Sequence, residues 1–306
     1  MTIKTNNFNE LLENIYQRSP LQKKSIKSYL STKNQTFFDE AESTITNYKA
    51  ALSSEGISIK TIADGFVQLC NDTLAEQIKF SKSGKYSCPS FEESSKSVYH
   101  DKIVMLSYML GLLVSQYIWD NHNKMLDFFK ECLLSRSNDT NNYLEVGAGH
   151  GLLLNIALDL LKAKEYEAID ISETSIELTK KITKHLHPNR NIQFNYTDFL
   201  TYDSNLKFDF ITMGEVLEHV ENPHQFLNKI YDLLSSNGVS YITTCTNCPA
   251  IDHIFLFKTL DEIRLLIQDC NLTIIKEFSY EVKAISALTN NSIQAHNYCA
   301  LIKKNA

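Results

Sequence analysis

Two carboxylates and an imidazole stand at helical spacing in the second half of the chain. They are Glu215, Glu218 and His219, in the pattern Glu-x-x-Glu-His. If a helical turn begins there, residues three and four positions apart lie on one face. Such a group can bind a divalent cation such as Mg²⁺, Mn²⁺ or Fe²⁺. Two metal-free interpretations stay open, in which His219 is a general base or a structural hydrogen-bonding residue.

A glycine-rich turn precedes this group. It has the sequence EVGAGHG over 145–151 and leads into an apolar helical pattern. Gly147, Gly149 and Gly151 let the main chain turn sharply and expose it to a ligand, and the following helix offers unpaired N–H groups. Glycines alone are a weak signal. However, Asp170 closes the next predicted strand, where a carboxylate can accept hydrogen bonds from both ribose hydroxyls of an adenosine.

The elements that carry these residues alternate between short apolar strands and helical stretches. This alternation is typical of an α/β fold with a mostly parallel sheet that helices cover on both faces. The seven predicted strands lie at 142–146, 165–169, 192–195, 208–212, 239–244, 272–279 and 294–302. The predicted helices lie at 152–162, 173–185, 223–234 and 259–270. The last two strands have no helix between them, so they can form an antiparallel hairpin at the sheet edge.

The chain before the first strand shows helical spacing of its apolar residues and no strand signal. Helices are predicted over 8–80, followed by a loop over 81–97 that is rich in Ser, Lys and Gly. One long apolar helix is predicted over 99–134, and a polar linker over 135–142. The sequence therefore predicts an all-helical N-terminal region.

The change of pattern divides the chain into a helical region over 1–137 and an α/β domain over 138–306. We expect the helical region to cap the site, to contribute substrate specificity and to mediate a homodimer. Tyr99, His100 and Tyr108, near the start of the long helix, could close over a ligand. We favour the simpler interpretation that they pack between the two parts.

Composition narrows the class of protein. A net charge of −6 disfavours a broad nucleic-acid surface, because such surfaces depend on Lys and Arg. No segment has the length and apolar character of a membrane helix, and the first residues lack a signal-peptide core, so we expect a cytoplasmic protein without a membrane partner. The seven scattered cysteines predict reduced thiols. Cys245 and Cys248 form a Cys-x-x-Cys without a second pair, and we assign them no zinc site.

With these motifs in hand, the segment 138–306 resembles the class I S-adenosylmethionine-dependent methyltransferases, in particular the ubiquinone-biosynthesis O-methyltransferases. The sequence LEVGAGHG over 144–151 looks like the first motif of that family. TDF over 197–199 and MGEVLEHV over 213–220 are similar to later motifs. The resemblance implies a Rossmann-like sheet and S-adenosylmethionine as the cofactor.

The resemblance also implies roles for single residues. Glu145 flanks the methionine part of the cofactor, Asp170 binds the ribose, Ile171 stacks on the adenine and Asp198 meets the adenine amino group. The implied cofactor-binding residues are Glu145, Gly147, Gly149, Gly151, Asp170, Ile171, Asp198, Phe199, Gly214 and Glu215.

A metal site is a further implication. Some members of the family bind a metal through Glu-x-x-Glu-His, and in the small-RNA 2′-O-methyltransferases another His follows the fifth strand. His253 lies in the comparable stretch here, beside Asp252, for which contact with substrate or metal stays open. The implied metal ligands are Glu215, Glu218, His219 and His253, and the implied catalytic residues are Glu218, His219 and His253. Metal-free relatives carry a similar Glu-His pair, so the metal-free alternatives remain.

A dinucleotide-binding dehydrogenase is the rival interpretation, because the same turn geometry serves NAD. The glycines fit Gly-x-Gly-x-Gly, whereas the dinucleotide fingerprint is Gly-x-Gly-x-x-Gly, and Leu152 stands where its last glycine belongs. A sulfonium cation is also better placed than a pyrophosphate near the carboxylate of Glu145. The sequence favours the methyltransferase.

The predicted function is methylation of a small molecule, at a hydroxyl or carboxylate oxygen. Because the cofactor motifs do not encode the acceptor, methylation of nitrogen or carbon stays open. Methylation of RNA or protein and a non-catalytic S-adenosylmethionine-binding subunit are further alternatives.

Overall fold

The computed structural model describes residues 6–283 and 293–305. The first part is helical, as the apolar spacing predicts. Its helices are α1 (Asn7–Arg18), α2 (Pro20–Leu30), α3 (Gln35–Ala51), α4 (Ile59–Ser83), α5 (Phe91–Ser94), α6 (Lys102–Ile118) and α7 (Asp120–Leu134). Helix α4 begins at a capping box, in which the Ser58 hydroxyl accepts a hydrogen bond from the Thr61 N–H.

The single long helix predicted over 99–134 is wrong. Helices α6 and α7 are separate and bend by 83° at Trp119, whose backbone is extended. The Trp119 ring packs edge-on against Phe66 and His122, with ring centroids 5.7 and 5.0 Å apart. The five polar residues over 120–124, which directly follow Trp119, interrupt the apolar pattern and were the local sign of this break.

The loop predicted over 81–97 is wrong in part. Helix α4 continues to Ser83, and α5 is followed by a π-helical turn, Ser95–Tyr99. The Ser90 side chain caps α5 by accepting a hydrogen bond from the Glu93 N–H. This short helical segment leads into α6 and directs Tyr99 inward.

Helices α4 and α6 touch backbone to backbone. A Cβ atom added at Gly65 would lie 2.7 Å from the Ser107 carbonyl oxygen, and one at Gly111 would lie 2.7 Å from the Gly65 carbonyl oxygen. Glycine is therefore required at both positions by close approach. This contact fixes α6 firmly on α4.

The second part is a seven-stranded sheet with the order β3-β2-β1-β4-β5-β7-β6. The strands are β1 (Asn142–Val146), β2 (Glu165–Asp170), β3 (Gln193–Tyr196), β4 (Phe208–Met213), β5 (Leu234–Thr246), β6 (Leu272–Glu281) and β7 (His296–Lys304). The helices between them are α8 (Leu152–Leu160), α9 (Glu173–Leu186), α10 (Pro223–Leu233) and α11 (Leu260–Asp269). Strand β7 is antiparallel to both β5 and β6, while β1 to β5 pair in parallel. The predicted fold class and the terminal hairpin are confirmed.

The helical region shares its hydrophobic core with one face of the sheet. The Tyr241 ring of β5 packs against Phe129 of α7, with ring centroids 4.8 Å apart, and its hydroxyl donates to the Met125 carbonyl oxygen. The opposite face is covered by α10 and α11. Helices α6 and α7 therefore lie close to the carboxyl ends of the parallel strands.

Across the described ranges, no single helix is long and apolar enough to cross a membrane. The pair α6 and α7 would pass that test only when both helices are taken together, across their 83° bend.

Candidate functional site

The glycine-rich turn lies between β1 and α8 with its backbone in the left-handed region. The φ angles of Gly147, Gly149 and Gly151 are 76°, 52° and 78°. A Cβ atom added at Gly147 would lie 2.8 Å from a Val216 methyl group. A side chain at this position would be both strained and crowded, so the bare main chain is structurally required.

Asp170 ends β2 directly beside this turn. Its Oδ2 accepts a hydrogen bond from the Gly149 N–H at 2.9 Å, and its Oδ1 accepts one from the Ser172 N–H at 2.7 Å. Burial raises the pKa of the Asp170 carboxyl to about 6, although the two hydrogen bonds act to lower that pKa. The carboxylate is thus held in one orientation at the cavity wall.

Glu145 is 1% exposed on β1. The Tyr143 hydroxyl donates a 2.6 Å hydrogen bond to its Oε2. Burial raises the pKa of the Glu145 carboxyl to about 8. A sulfonium cation bound nearby would favour the ionised form, because an opposite charge lowers the pKa of a carboxyl.

We expect Glu145→Gln to remove a pH dependence of stability. A carboxyl whose pKa rises on folding from 4.5 to about 8 loses folded-state stability as pH rises through that range. Between pH 4.5 and 8, the variant should therefore become more stable relative to the wild type. We expect the difference in their free energies of unfolding to grow by about 3 to 5 kcal/mol, since one pKa unit corresponds to roughly 1.4 kcal/mol. Urea denaturation of the cofactor-free proteins measures it. A difference that stays constant over this range would contradict the assignment.

The other predicted cofactor residues line the same cavity. Ile171, Asp198, Phe199 and Gly214 all face it. Asp198 also accepts a hydrogen bond from the Leu200 N–H at 2.8 Å, which fixes its carboxylate. The structure therefore brings all of the predicted set except Gly151 to the lining of one cavity.

The cavity has a volume of about 580 Å³, within the usual range for small-molecule sites. It extends beyond the glycine turn into the helical region. Its apolar lining there includes Leu69, Leu74, Met105, Met109, Leu112, Trp119, Met125 and Leu126. Among the described residues, no Lys or Arg lines it.

Glu215 and Glu218 follow β4 in a sharp turn that ends in one 3-10 turn, Leu217–His219, instead of the predicted α-helical turn. Glu215 has a φ of 52°, and its N–H donates to the Thr243 hydroxyl. Glu218 is 0% exposed and accepts a 2.7 Å hydrogen bond from the Thr244 hydroxyl at Oε2. In the part of the chain that the structure describes, Oε1 of each glutamate is shielded from solvent and receives no hydrogen bond from another residue, while the two carboxyls are close enough to share one hydrogen. Burial raises the pKa of both carboxyls, and Glu215 raises that of Glu218 further.

His219 and His253 face these carboxylates, with their rings perpendicular and their centroids 4.7 Å apart. Nδ1 of His253 lies 2.6 Å from the Cys248 carbonyl oxygen. A carbonyl only accepts, so this nitrogen carries the hydrogen and Nε2 keeps its lone pair. Ligand-type atoms of Glu218, His219 and His253 all lie within 4.8 Å of one another.

This cluster fits a divalent metal ion. Two neighbouring buried carboxyls are costly to ionise together, and a cation beside them would stabilise both in the ionised form. A histidine whose Nδ1–H is bound by a carbonyl has the usual arrangement of a metal ligand. Glu215, Glu218 and Cys245 form an overlapping group with the same 4.8 Å spacing, so a thiol also lies within reach.

The sequence of one segment matches a known family. Residues 144–240 match the family model described as a methyltransferase domain, and this segment contains the glycine turn, Asp170 and the Glu-x-x-Glu-His group. This segment of the chain is therefore similar to methyltransferase domains. S-adenosylmethionine is the cofactor of this family, as the resemblance implies.

The chain is also similar in sequence to curated O-methyltransferases. The chain is 31% identical over 137 residues to the mitochondrial ubiquinone biosynthesis O-methyltransferase of Schizosaccharomyces pombe, covering 41% of this chain and 49% of that protein. The ubiquinone biosynthesis O-methyltransferase of Coxiella burnetii is 31% identical over 101 residues, covering 33% of this chain and 42% of that protein. The chain thus spans about half or less of the length of these relatives.

The chain is also similar in fold to solved structures. The cyclase SpnF has a TM-score of 0.52 at 11% identity, covering 72% of this chain and 99% of that chain. The N-methyltransferase NodS from Bradyrhizobium japonicum, in complex with S-adenosylhomocysteine, has a TM-score of 0.47 at 16% identity, covering 62% of this chain and 92% of that chain. At these identities the likeness to SpnF shows the fold alone.

The positions of some residues around the cavity differ from those expected from the sequence. Cys245, dismissed as half of an isolated pair, lies against the carboxylates. Tyr99 and Tyr108, expected to pack between the two parts, line the cavity and hydrogen-bond to Asp252. The apolar character of α6 on all sides was the available signal, because a helix that is apolar all round is buried among several elements.

Proposed function

We propose that the chain is an S-adenosylmethionine-dependent methyltransferase that methylates a hydroxyl oxygen of a small molecule with the help of a divalent metal. One observation carries the proposal. Glu215, His219 and His253 line the same cavity as the glycine turn and the Asp170 carboxylate, and ligand-type atoms of the buried Glu218 lie within 4.8 Å of those of the two histidines. Cofactor and acceptor would therefore meet in one enclosed space.

Methyl transfer is an in-line displacement. The acceptor oxygen attacks the methyl carbon as the carbon–sulfur bond breaks, and S-adenosylhomocysteine leaves. The protein must hold the oxygen in line, about 3 Å from the carbon, and deprotonated. The glycine turn and Asp170 would fix the adenosine end of the cofactor, and Glu145 would hold the sulfonium end.

In this proposal, the cluster deprotonates the acceptor hydroxyl. A divalent ion held by Glu215, Glu218, His219 and His253 would lower the pKa of a bound hydroxyl and orient it. His219, whose ring faces the cavity, is the alternative proton acceptor in a metal-free mechanism. The two mechanisms differ in their need for metal and are separable by experiment.

The cavity lining supports a hydroxyl over a carboxylate acceptor. Carboxylate and phosphate groups are usually bound by Arg or Lys, and no described lining residue is either. Residues 284–292, which lie outside the described ranges, also contain no Lys or Arg. An acceptor with an apolar body and an uncharged hydroxyl fits this lining best, and a polyanion such as RNA fits it poorly.

The helical region is part of this proposal. Helices α4, α6 and α7 supply the apolar wall of the cavity, so we assign to them the selection of the acceptor. The division at residue 137, a homodimer and a cytoplasmic location stay predictions of the sequence.

An acceptor screen tests the function. The purified protein is given methyl-labelled S-adenosylmethionine, Mg²⁺, Mn²⁺, Fe²⁺ or Zn²⁺, and matched pairs of small acceptors that carry either a hydroxyl or only a carboxylate. We expect label in the hydroxyl compounds, loss of transfer with a chelator and recovery on adding metal. Transfer that survives thorough chelation would leave His219 as the base and contradict the metal. Transfer only to the carboxylate compounds would contradict the proposed acceptor.

A further inference from the structure

Asp252 is a buried carboxylate in the loop after β5, and it is 0% exposed. Each of its oxygens accepts a hydrogen bond from a tyrosine of the helical region. The Tyr99 hydroxyl donates to Oδ2 at 3.2 Å, and the Tyr108 hydroxyl donates to Oδ1 at 3.1 Å. A carboxylate whose two oxygens are both taken in this way is built into the wall of the site.

The same group surrounds one nitrogen of His219. Nδ1 of His219 lies 3.1 Å from the Tyr99 hydroxyl oxygen, 3.2 Å from the Asp252 carbonyl oxygen and 3.3 Å from Asp252 Oδ2. The carbonyl and the carboxylate only accept, and the Tyr99 hydrogen is directed to Asp252. Nδ1 must therefore carry a hydrogen, since otherwise it would face three oxygen atoms without one.

A hydrogen on Nδ1 leaves the lone pair of the neutral imidazole on Nε2. That nitrogen lies 3.9 Å from Glu218 Oε1, on the side of the carboxylate cluster. The lone pair of His219 is thus directed toward the place where a metal ion or an acceptor hydroxyl would lie.

We propose that Asp252 and Tyr99 are positioning residues that hold His219 with its hydrogen on Nδ1 and its lone pair on Nε2, and that Tyr108 holds Asp252. This role rests on the proposed function and assigns to the helical region a part in the reaction centre. It also answers the question left open for Asp252, which would act through His219 without touching substrate or metal.

Tyr99 also connects this network to the cofactor side of the cavity. Its main-chain carbonyl accepts a 3.0 Å hydrogen bond from the Ser172 hydroxyl, and the Ser172 N–H donates to Asp170. Tyr99 ends the π-helical turn Ser95–Tyr99, and such turns occur frequently at functional sites. One residue of the helical region thus contacts both halves of the site.

The tautomer of His219 is the direct test. Protein labelled with ¹⁵N-histidine is held metal-free and cofactor-free at pH 8, and long-range nitrogen–proton NMR spectra distinguish the two neutral tautomers. The His219 signals are assigned by their loss in His219→Gln. We expect the Nδ1–H tautomer in the wild type and a mixture of both tautomers in Asp252→Asn and Tyr99→Phe. An Nε2–H tautomer in the wild type, or an unchanged spectrum in Asp252→Asn, would overturn the proposal.

Binding of Co²⁺ alone gives a second readout, followed by its visible absorption spectrum. We expect Asp252→Asn and Tyr99→Phe to weaken Co²⁺ binding by about 10- to 100-fold, the usual effect of losing a partner of a ligating histidine. Tyr108→Phe should lose less, because only Tyr99 also contacts His219. Tyr117→Phe is the matched control, since this buried hydroxyl of α6 bonds to Thr44 outside the site. Equal losses in Tyr117→Phe and Tyr99→Phe would mean a structural role only.

The two readouts separate this proposal from the proposed function. The tautomer is measured without metal, cofactor or acceptor. A wild type that binds no Co²⁺ and transfers no methyl group, yet shows the Nδ1–H tautomer and its dependence on Asp252, would refute the function and support the positioning network. An active enzyme in which His219 has the Nε2–H tautomer would support the function and refute the positioning network.

Discussion

Asp170→Ala should raise the Kd for S-adenosylmethionine at least about 100-fold, measured by calorimetry. Hydrogen bonds to a charged group contribute about 1.5 to 3 kcal/mol each, and roughly 1.4 kcal/mol corresponds to a tenfold change in affinity. The carboxylate would accept from both ribose hydroxyls, and it also holds the Gly149 N–H. The variant loses the ribose contacts and the anchor of the glycine turn together.

Asp209→Ala is the matched control for this experiment. The Asp209 carboxylate likewise holds main-chain N–H groups, those of Asn141 and Asn142, but at the opposite end of the sheet. We expect it to lower the free energy of unfolding and to leave the Kd unchanged. S-adenosylhomocysteine should lose as much affinity as S-adenosylmethionine in Asp170→Ala, because both share the ribose. A Kd within threefold of the wild type in a folded Asp170→Ala protein would refute the ribose assignment.

The proximity of the glycine turn and Asp170 could be predicted from the sequence because the signals for both are local. The left-handed φ angles of the glycine turn and the carboxylate at the end of the next strand both depend on residues close together in the chain. The alternation of strands and helices then specifies that the carboxyl ends of the strands meet at one edge. Three short motifs were sufficient to bring these residues to one cavity.

The sequence predicts that the helical region caps the site, but the individual contacts of this region could not be predicted because they are not local. The hydrogen bond from Tyr99 to Asp252 joins residues 153 positions apart, and nothing in either segment specifies the other. The packing of the Trp119 ring on Phe66 of another helix is of the same kind, although the polar residues over 120–124 are a local sign of the break itself. Such features require the packing of α6 and α7 onto the sheet to be known.

The Glu-x-x-Glu-His group could be predicted only in part. Its spacing predicts convergence on one helical face, but the structure has a sharp turn with a positive φ at Glu215. The side chains converge nonetheless, because the 3-10 turn that follows and the loop that contains His253 face each other. The main-chain N–H of Ile254 donates to the Glu218 carbonyl oxygen and ties these two segments together.

Glu218→Gln should abolish metal binding and lower kcat/KM by a factor on the order of 100 or more. The change is isosteric and keeps the hydrogen bond from Thr244, but an amide oxygen is a much weaker metal ligand than a carboxylate. Metal content by elemental analysis and methyl transfer should fall together, with little change in the Kd for S-adenosylmethionine. Glu167→Gln is the control, since Glu167 is also buried and accepts a hydrogen bond from the Tyr202 hydroxyl outside the cavity.

The same substitution should stabilise the metal-free protein. Burial and the neighbouring Glu215 hold the pKa of Glu218 well above its usual value, so the wild type loses stability as pH rises above the unfolded-state pKa of its glutamates. At pH 8 we expect the metal-free variant to exceed the wild type in free energy of unfolding by about 1 kcal/mol or more, and saturating metal to reverse the order because only the wild type binds it. Urea denaturation with and without metal measures both. If the variant is less stable than the wild type without metal, Glu218 contributes to folding by itself, and the argument that its buried carboxyl is retained for a cation fails.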